Sequence, residues 1–238
     1  MANLHVGTAG FTAPRGKYQS RLRFVEVDLR SPAPSPKSLA GWKKQSPEGF
    51  VFSVVAPASL YGAADWPLRD ANALRSELDR LANNVRALGA EAVVLRTPMA
   101  ITPGSAALKR LLPVFEQVKK FSPLVVWEPV GVWEHEDALA AVGDADVVVA
   151  SDPLRDAPEA PVVYARLRGL GGDHRYTMGR LEALAEALAG VDEAFVVFSS
   201  QESWREAVGF ARLAGELASS EGDDEDDDLD DEDEEDEG

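Results

Sequence analysis

The chain has 238 residues, 45% of them hydrophobic and 27% charged, with a formal net charge of -17. That is enough apolar material for one barrel-sized domain or two small ones. With no cysteine in the chain, disulfides, thiolate catalysis, iron–sulfur ligation and Cys-type zinc sites are excluded.

Met1 to His5 has no basic stretch followed by a long apolar run, so no signal peptide is expected. No apolar run approaches the ~20 residues of a membrane span, and a cytoplasmic protein is expected. Leu4 to Gly10 reads as a short strand ending in a Gly-Thr-Ala-Gly turn, and Arg15 to Arg23 as a weak helix or turn. Phe24 to Arg30 alternates, with Phe24, Glu26, Asp28 and Arg30 on one face and Val25, Val27 and Leu29 on the other. Ser31 to Pro36 is a Pro/Ser loop. A short helix over 37–45 and a third strand over 50–57 follow. In the helix expected over 68–88, Leu74, Leu78, Leu81, Val85 and Leu88 recur at three- and four-residue steps before Gly89 ends it. Strands are expected at 92–98, 124–129 and 146–150, with helices at 103–121 and 135–142. Three prolines between Asp152 and Pro161 leave no room for a helix there. The seventh strand, Pro161 to Gly169, places Val163, Ala165 and Leu167 on one face and Tyr164, Arg166 and Arg168 on the other. A helix over 177–189, a strand over 194–200 and a closing helix over 204–217 complete the body.

The charge is concentrated at the end. Of the 41 acids, 15 lie from Glu221 onward with no Lys or Arg among them, leaving 26 acids against 24 bases in the body. Residues 219–238 cannot bury enough surface to offset their ordering entropy, and a disordered acidic tail is expected. It reads either as a solvated solubility tail, or as an arm that docks on a basic protein partner or folds back over the arginines of the body. Such a tail repels phosphates and argues against nucleic acid as a ligand.

Eight apolar strands with mostly helical connections give an α/β fold of parallel βαβ units. Over about 220 residues this suits a single (β/α)8 barrel with a degraded sixth helix. An open doubly wound sheet is the alternative, but no Gly-rich dinucleotide fingerprint follows the first strand.

Several segments carry a family resemblance. Val6-Gly7-Thr8-Ala9-Gly10-Phe11 resembles the Gly-Thr-Ser-Gly-Trp opening of the YecE-like family, domain-of-unknown-function family 72. Phe24 to Asp28 resembles its Phe-x-x-Val-Glu-x-Asn strand, and Trp42 with Pro47 to Ser53 its Trp…Thr-Pro-x-x-Phe-x-Phe segment. Leu88-Gly89, Thr97-Pro98, Trp127-Glu128 with Trp133, Arg166 to Gly169 and Phe195 to Phe198 follow in family order, so that the resemblance spans roughly residues 5 to 213. It implies a TIM barrel of unestablished activity. The chain departs from the pattern at Leu29-Arg30-Ser31 (for Phe-Tyr), at Val54 or Val55 (for Lys), at Pro129 (for Arg) and at Ser199-Ser200 (for asparagines).

In such a barrel the ligand site lies at the C-terminal strand ends. Alternation aims Glu26 and Asp28, Glu128, and Tyr164, Arg166 and Arg168 into one crevice. On a functional reading, Glu26 and Glu128 form an acid/base pair and Arg166 completes the catalytic group, with the arginines clamping an anion. Thr8, Asp28, Tyr164, Arg168, Gly171, Gly172 and Arg175 are the expected substrate-binding residues. The loop Gly169 to Arg175 fits a phosphate-binding turn, although a flexible Gly-rich turn is the favoured reading, since a lone Gly-rich loop is a weak signal. The structural alternative is a salt-bridge network that plugs the barrel. Neither a cofactor nor a metal is called for: His5, His135 and His174 form no ligand motif, and His5 and His135 read as structural. Two functions stay open. One is a hydrolase or isomerase acting without metal on a small anionic or sugar-like substrate. The other is a degenerate barrel that binds or scaffolds, with the acidic tail as its arm.

Overall fold

The alternating runs of the sequence form eight strands, every pair of neighbours parallel. The computed structural model describes residues 3–30, 33–60, 71–104, 106–169 and 175–224. In chain order these give β1 (Asn3–Ala9), α1 (Arg15–Gln19), β2 (Phe24–Asp28), α2 (Pro36–Gln45), β3 (Val51–Val55), α3 (Ala71–Leu88), β4 (Ala92–Arg96) and α4 (Ala106–Lys119). They continue with β5 (Leu124–Glu128), α5 (His135–Val142), β6 (Val148–Val149), β7 (Val162–Leu167), α6 (Met178–Leu188), β8 (Glu193–Phe198) and α7 (Ser203–Asp224). The sheet order is β6-β5-β4-β3-β2-β1-β8-β7. Its two edges meet through one parallel bridge, Ser151 to Ala165. Ser151 N–H donates to the Tyr164 carbonyl at 3.2 Å, and Arg166 N–H donates to the Ser151 carbonyl at 2.9 Å. The result is a nearly closed (β/α)8 barrel.

Residues 150–161 contain no helix, as the prolines dictate. The expected Gly-Thr-Ala-Gly turn is instead mostly strand, because β1 runs through Ala9. Gly7 is required there by close approach. A Cβ at that position would fall well inside contact distance of the Phe24 carbonyl, so β1 lies against β2 only without a side chain. At the other end of the chain, α7 reaches Asp224 and overlaps the start of the acidic segment. Residues 225–238, the rest of the segment expected to be disordered, lie outside the described residues.

Strand alternation divides the core into two layers. Phe24, Val51, Val94, Val126, Phe195 and Val197 fill the barrel interior. Val25, Val27, Phe52, Leu95, Trp127 and Phe198 face outward and pack beneath the helices. His5 stacks on Phe195 with ring centroids 4.6 Å apart and meets Glu193 Oε1 at 3.0 Å, bearing out its structural reading. Covering both faces of a parallel sheet in this way is what makes its strands read as near-continuous apolar runs. A polar side chain on the inner face therefore stands out.

Candidate functional site

Those inner polar side chains are charged, and they gather toward the C-terminal ends of the strands. Parallel register sets Glu26 on β2 beside Ser53 on β3, and Arg96 on β4 beside Glu128 on β5. Tyr164 and Arg166 project from β7. Tyr164 is fully buried; its hydroxyl donates to Glu26 Oε2 at 2.8 Å and lies 2.8 Å from Ser53 Oγ. Arg166 pairs with the same Glu26 oxygen. Its Nε lies 3.1 Å from Glu128 Oε1, so the guanidinium spans both carboxylates.

Above this buried layer, Arg168 pairs with Glu128 Oε1, and Arg96 Nε lies 3.6 Å from Glu128 Oε2. Asp28 accepts from Arg30 in a two-point contact with nearest approach 2.6 Å. The cluster thus sets four guanidiniums, Arg30, Arg96, Arg166 and Arg168, against three carboxylates. One positive charge is left over in a low-dielectric crevice.

Environment tunes these groups unevenly. Burial, reinforced by the neighbouring Arg96, pushes the Arg168 guanidinium down to about 10. Burial, with Arg166 and Arg30 close by, lowers Arg96 as well. Burial favours a neutral Asp28, but the hydrogen bonds and charge of Arg30 outweigh it and hold the carboxyl below its usual value. Burial and the nearby Glu26 push Tyr164 far up, so it acts as a hydrogen-bond donor and not as a phenolate.

A pocket of about 180 Å³ opens beside the cluster, between the ends of β5, β6 and β7 and the start of α5. Glu128, Arg166 and Arg168 form one wall; His135, Asp152 and Arg155 contribute to the others. The missing sixth helix leaves this space unfilled. Neither Glu128 oxygen, and not Arg166 Nε either, has a hydrogen-bond partner in good alignment, although all are buried. They sit at ion-pair distance from their neighbours without an N–H pointed along the line.

The structure brings together Glu26, Asp28, Glu128, Tyr164, Arg166 and Arg168, as parity predicts. It separates the expected acid/base pair, however. Glu26 is 1% exposed, is held by Tyr164 and Arg166, and does not line the pocket; it positions Arg166. Thr8 does not face the mouth. It lies on the outer face of β1, where its N–H donates to the Tyr18 hydroxyl at 2.9 Å and its own hydroxyl donates to the Gly10 carbonyl at 2.6 Å. The one-residue alternation that turns Gly7 inward turns Thr8 outward. Arg175 is exposed and pairs with Glu202 at 3.5 Å, so it is not part of the cluster. Gly171 and Gly172, with the proposed phosphate turn, lie outside the described residues. Sequence reasoning missed Arg96, Ser53, His135 and Asp152. The first two were within reach: Ala92, Val94 and Arg96 alternate as cleanly as the second strand does, and Ser53 is the polar residue on an apolar strand. His135 and Asp152 lie beyond strand ends, where parity says nothing.

The family model for Protein of unknown function DUF72 matches residues 15–230. The chain belongs to the DUF72 family. A crystal structure of a DUF72 family protein from Enterococcus faecalis V583 superposes with a TM-score of 0.70 at 16% identity, covering 92% of this chain and 98% of that one. A protein titled IOLI, with a bound zinc atom, gives a TM-score of 0.60 at 13% identity over 92% of this chain and 97% of that one. A D-tagatose 3-epimerase-like protein gives 0.57 at 14% identity over 94% and 98%. At these identities the likeness is one of fold. No curated protein matches the sequence. Among the described residues of this DUF72 chain, no three metal-ligating side chains converge. Glu26 and Glu128 are both paired with guanidiniums. Among the described residues, no helix is long and apolar enough to cross a membrane.

Proposed function

We propose that the barrel mouth binds a small anionic, sugar-like molecule and works on it by proton transfer, as a hydrolase or an isomerase does. One observation carries this reading: the Glu128 carboxylate and the half-exposed Arg168 guanidinium border the same pocket. Arg168 offers an acid a planar fork at the pocket wall. Glu128, surrounded by arginines, is a carboxylate that can take a proton from a bound substrate. Arg166 holds it in place and is itself held by Glu26. The barrel architecture shared with an epimerase-like protein supports the sugar-sized substrate by analogy of fold.

The test is a thermal-shift screen of sugar acids and sugar phosphates, followed by turnover assays on whatever binds. Glu128→Gln should abolish turnover and keep a melting temperature near that of the parent. A large loss of stability with no turnover in the parent would remove the enzyme reading. A second reading is favoured by the saturation of Glu26 and by the crowding of guanidiniums around Glu128: the barrel is a binding protein that has lost its chemistry. Ligand binding without turnover in the parent protein selects it.

A further inference from the structure

Proton transfer at the mouth needs a group that gives a proton as well as one that takes it. Glu128 is the taker, and the pocket wall holds a second carboxyl. Asp152 lines the same pocket and is half-buried, so a ligand can reach it. The two acids have unlike surroundings. Glu128 is paired with Arg96, Arg166 and Arg168. Asp152 has no ion pair among the described residues. Burial outweighs the more distant charges of Arg180 and Arg155 and keeps its carboxyl above the ordinary 3.8. Two carboxyls on one wall, one set to stay charged and the other to keep a proton, are arranged as base and acid.

Asp152 is also held in place. Ser151 before it is tied to β7 through both its N–H and its carbonyl. The Asp152 carbonyl accepts from Arg155 N–H at 2.8 Å and from Asp156 N–H at 3.0 Å. Its Oδ1 accepts from Leu154 N–H at 3.1 Å, the one hydrogen bond of this side chain among the described residues. Oδ2 is left for a ligand. As a turn brace alone, the position would be served equally by asparagine, with no charge to bury. Pocket size narrows the reaction. At about 180 Å³ it is smaller than the roughly 300–1,000 Å³ of drug-sized sites. Rearranging one small molecule fits this space better than holding two fragments and a water.

Resting on the proton-transfer reading above, we infer that Asp152 is the acid that works with Glu128, and that the pair isomerises a small hydroxy-aldehyde bearing an acid group. The acid group lies on Arg168. Glu128 takes the proton from the carbon beside the aldehyde. That C–H pair becomes the C=C bond of an enediol, and the carbonyl oxygen takes the Asp152 proton. Asp152 then removes the proton of the neighbouring hydroxyl, which becomes the new carbonyl. The C=C pair takes the Glu128 proton at the former aldehyde carbon, and both carboxyls return to their starting forms.

The experiment uses the full chain in heavy water with three reacting probes: glucuronate, galacturonate and glyceraldehyde phosphate. Proton NMR follows deuterium entering beside the carbonyl. Gluconate, which has the acid but no aldehyde, is the binding probe in calorimetry. The parent should exchange at least one reacting probe. Asp152→Asn keeps the Leu154 brace, so it should bind gluconate as the parent does but exchange about a hundredfold more slowly or worse. The parent's kcat/KM should decline as pH rises through the raised Asp152 value, and the variant's residual rate should lack that decline. Arg155, Asp156, Tyr176 and Arg180 surround Asp152, and Glu134 and His135 share its pocket. A decline that persists in Asp152→Asn belongs to one of these and overturns the assignment. Exchange at the parent's rate in Asp152→Asn overturns it too and leaves the proton-transfer reading standing. Gluconate binding with no exchange in the parent overturns both the isomerisation and the proton transfer. Neither binding nor exchange overturns the anion site as well.

Discussion

The Tyr164 hydroxyl on β7 reaches the Glu26 carboxylate on β2 at 2.8 Å, although β1 and β8 lie between the two strands in the sheet. The bond crosses the barrel interior and fixes the acid that fixes Arg166. Tyr164→Phe would leave both Glu26 and Ser53 short of a partner in a dry interior. We expect a loss of about 1–3 kcal/mol in chemical denaturation. Glu26→Ala should cost about 3 kcal/mol, toward the low end for a broken buried pair because Glu128 still faces Arg166.

Gly7→Ala should destabilise by about 1–3 kcal/mol or more. Its new Cβ meets the Phe24 carbonyl, which also accepts a hydrogen bond from Tyr18 at 2.9 Å. The strand cannot yield without disturbing that bond. A melting temperature equal to the parent's would contradict the close approach.

Asp152 borders the pocket, and burial raises its carboxyl above the ordinary 3.8. The folded state therefore holds this proton more tightly than the unfolded chain does. As pH climbs from 3.8 through the raised folded value, the ionised form costs stability, and the cost is complete above it. Asp152→Asn keeps the acceptor for Leu154 N–H, now 3.1 Å from Oδ1, and removes the charge. Its melting temperature should exceed the parent's at neutral pH, and the gain should disappear in acid below 3.8. An equal gain at both ends of the pH range would assign the effect to something other than this ionisation.

Deleting everything after Asp224 should leave probe affinity at the mouth unchanged within about twofold, a change worth only a few tenths of a kcal/mol. Helix α7 sets out from the mouth end, where Glu206 accepts from Tyr176 N–H at 2.9 Å. At 1.5 Å per residue its last residue stands about 30 Å from its first. Asp224, where α7 ends, thus lies at the far end of the helix from the mouth. A marked gain in affinity on truncation would show that the remaining acids compete for the site.

Parity made most of the barrel legible in the sequence. Glu26, Glu128 and Arg166 could be aimed inward before any coordinates because a parallel strand shows its two faces in alternate residues. Alternation also holds at Thr8, but the Gly-Thr-Ala-Gly stretch reads as a turn, so its outward face is not apparent in the sequence. Nor could alternation say that Glu26 lies a layer deeper than Glu128. That follows from strand stagger, which places Glu26 beside Ser53 but Glu128 beside Arg96 at the end of β4. The pocket itself depends on a segment with no periodicity, residues 150–161. A proline count excludes a helix there, but nothing in it reports what space is left.

Strand β6 has two residues, and one bridge joins its continuation to β7. This is the weak seam of the wall, and the amides around Ser151 should exchange with solvent sooner than those of β1 or β8. A ligand held at once by Glu128 on β5 and Arg168 beyond β7 would staple the seam from above. Slowed exchange at residues 149–152 on ligand binding is the signature to look for, since the barrel would then be completed by what it binds.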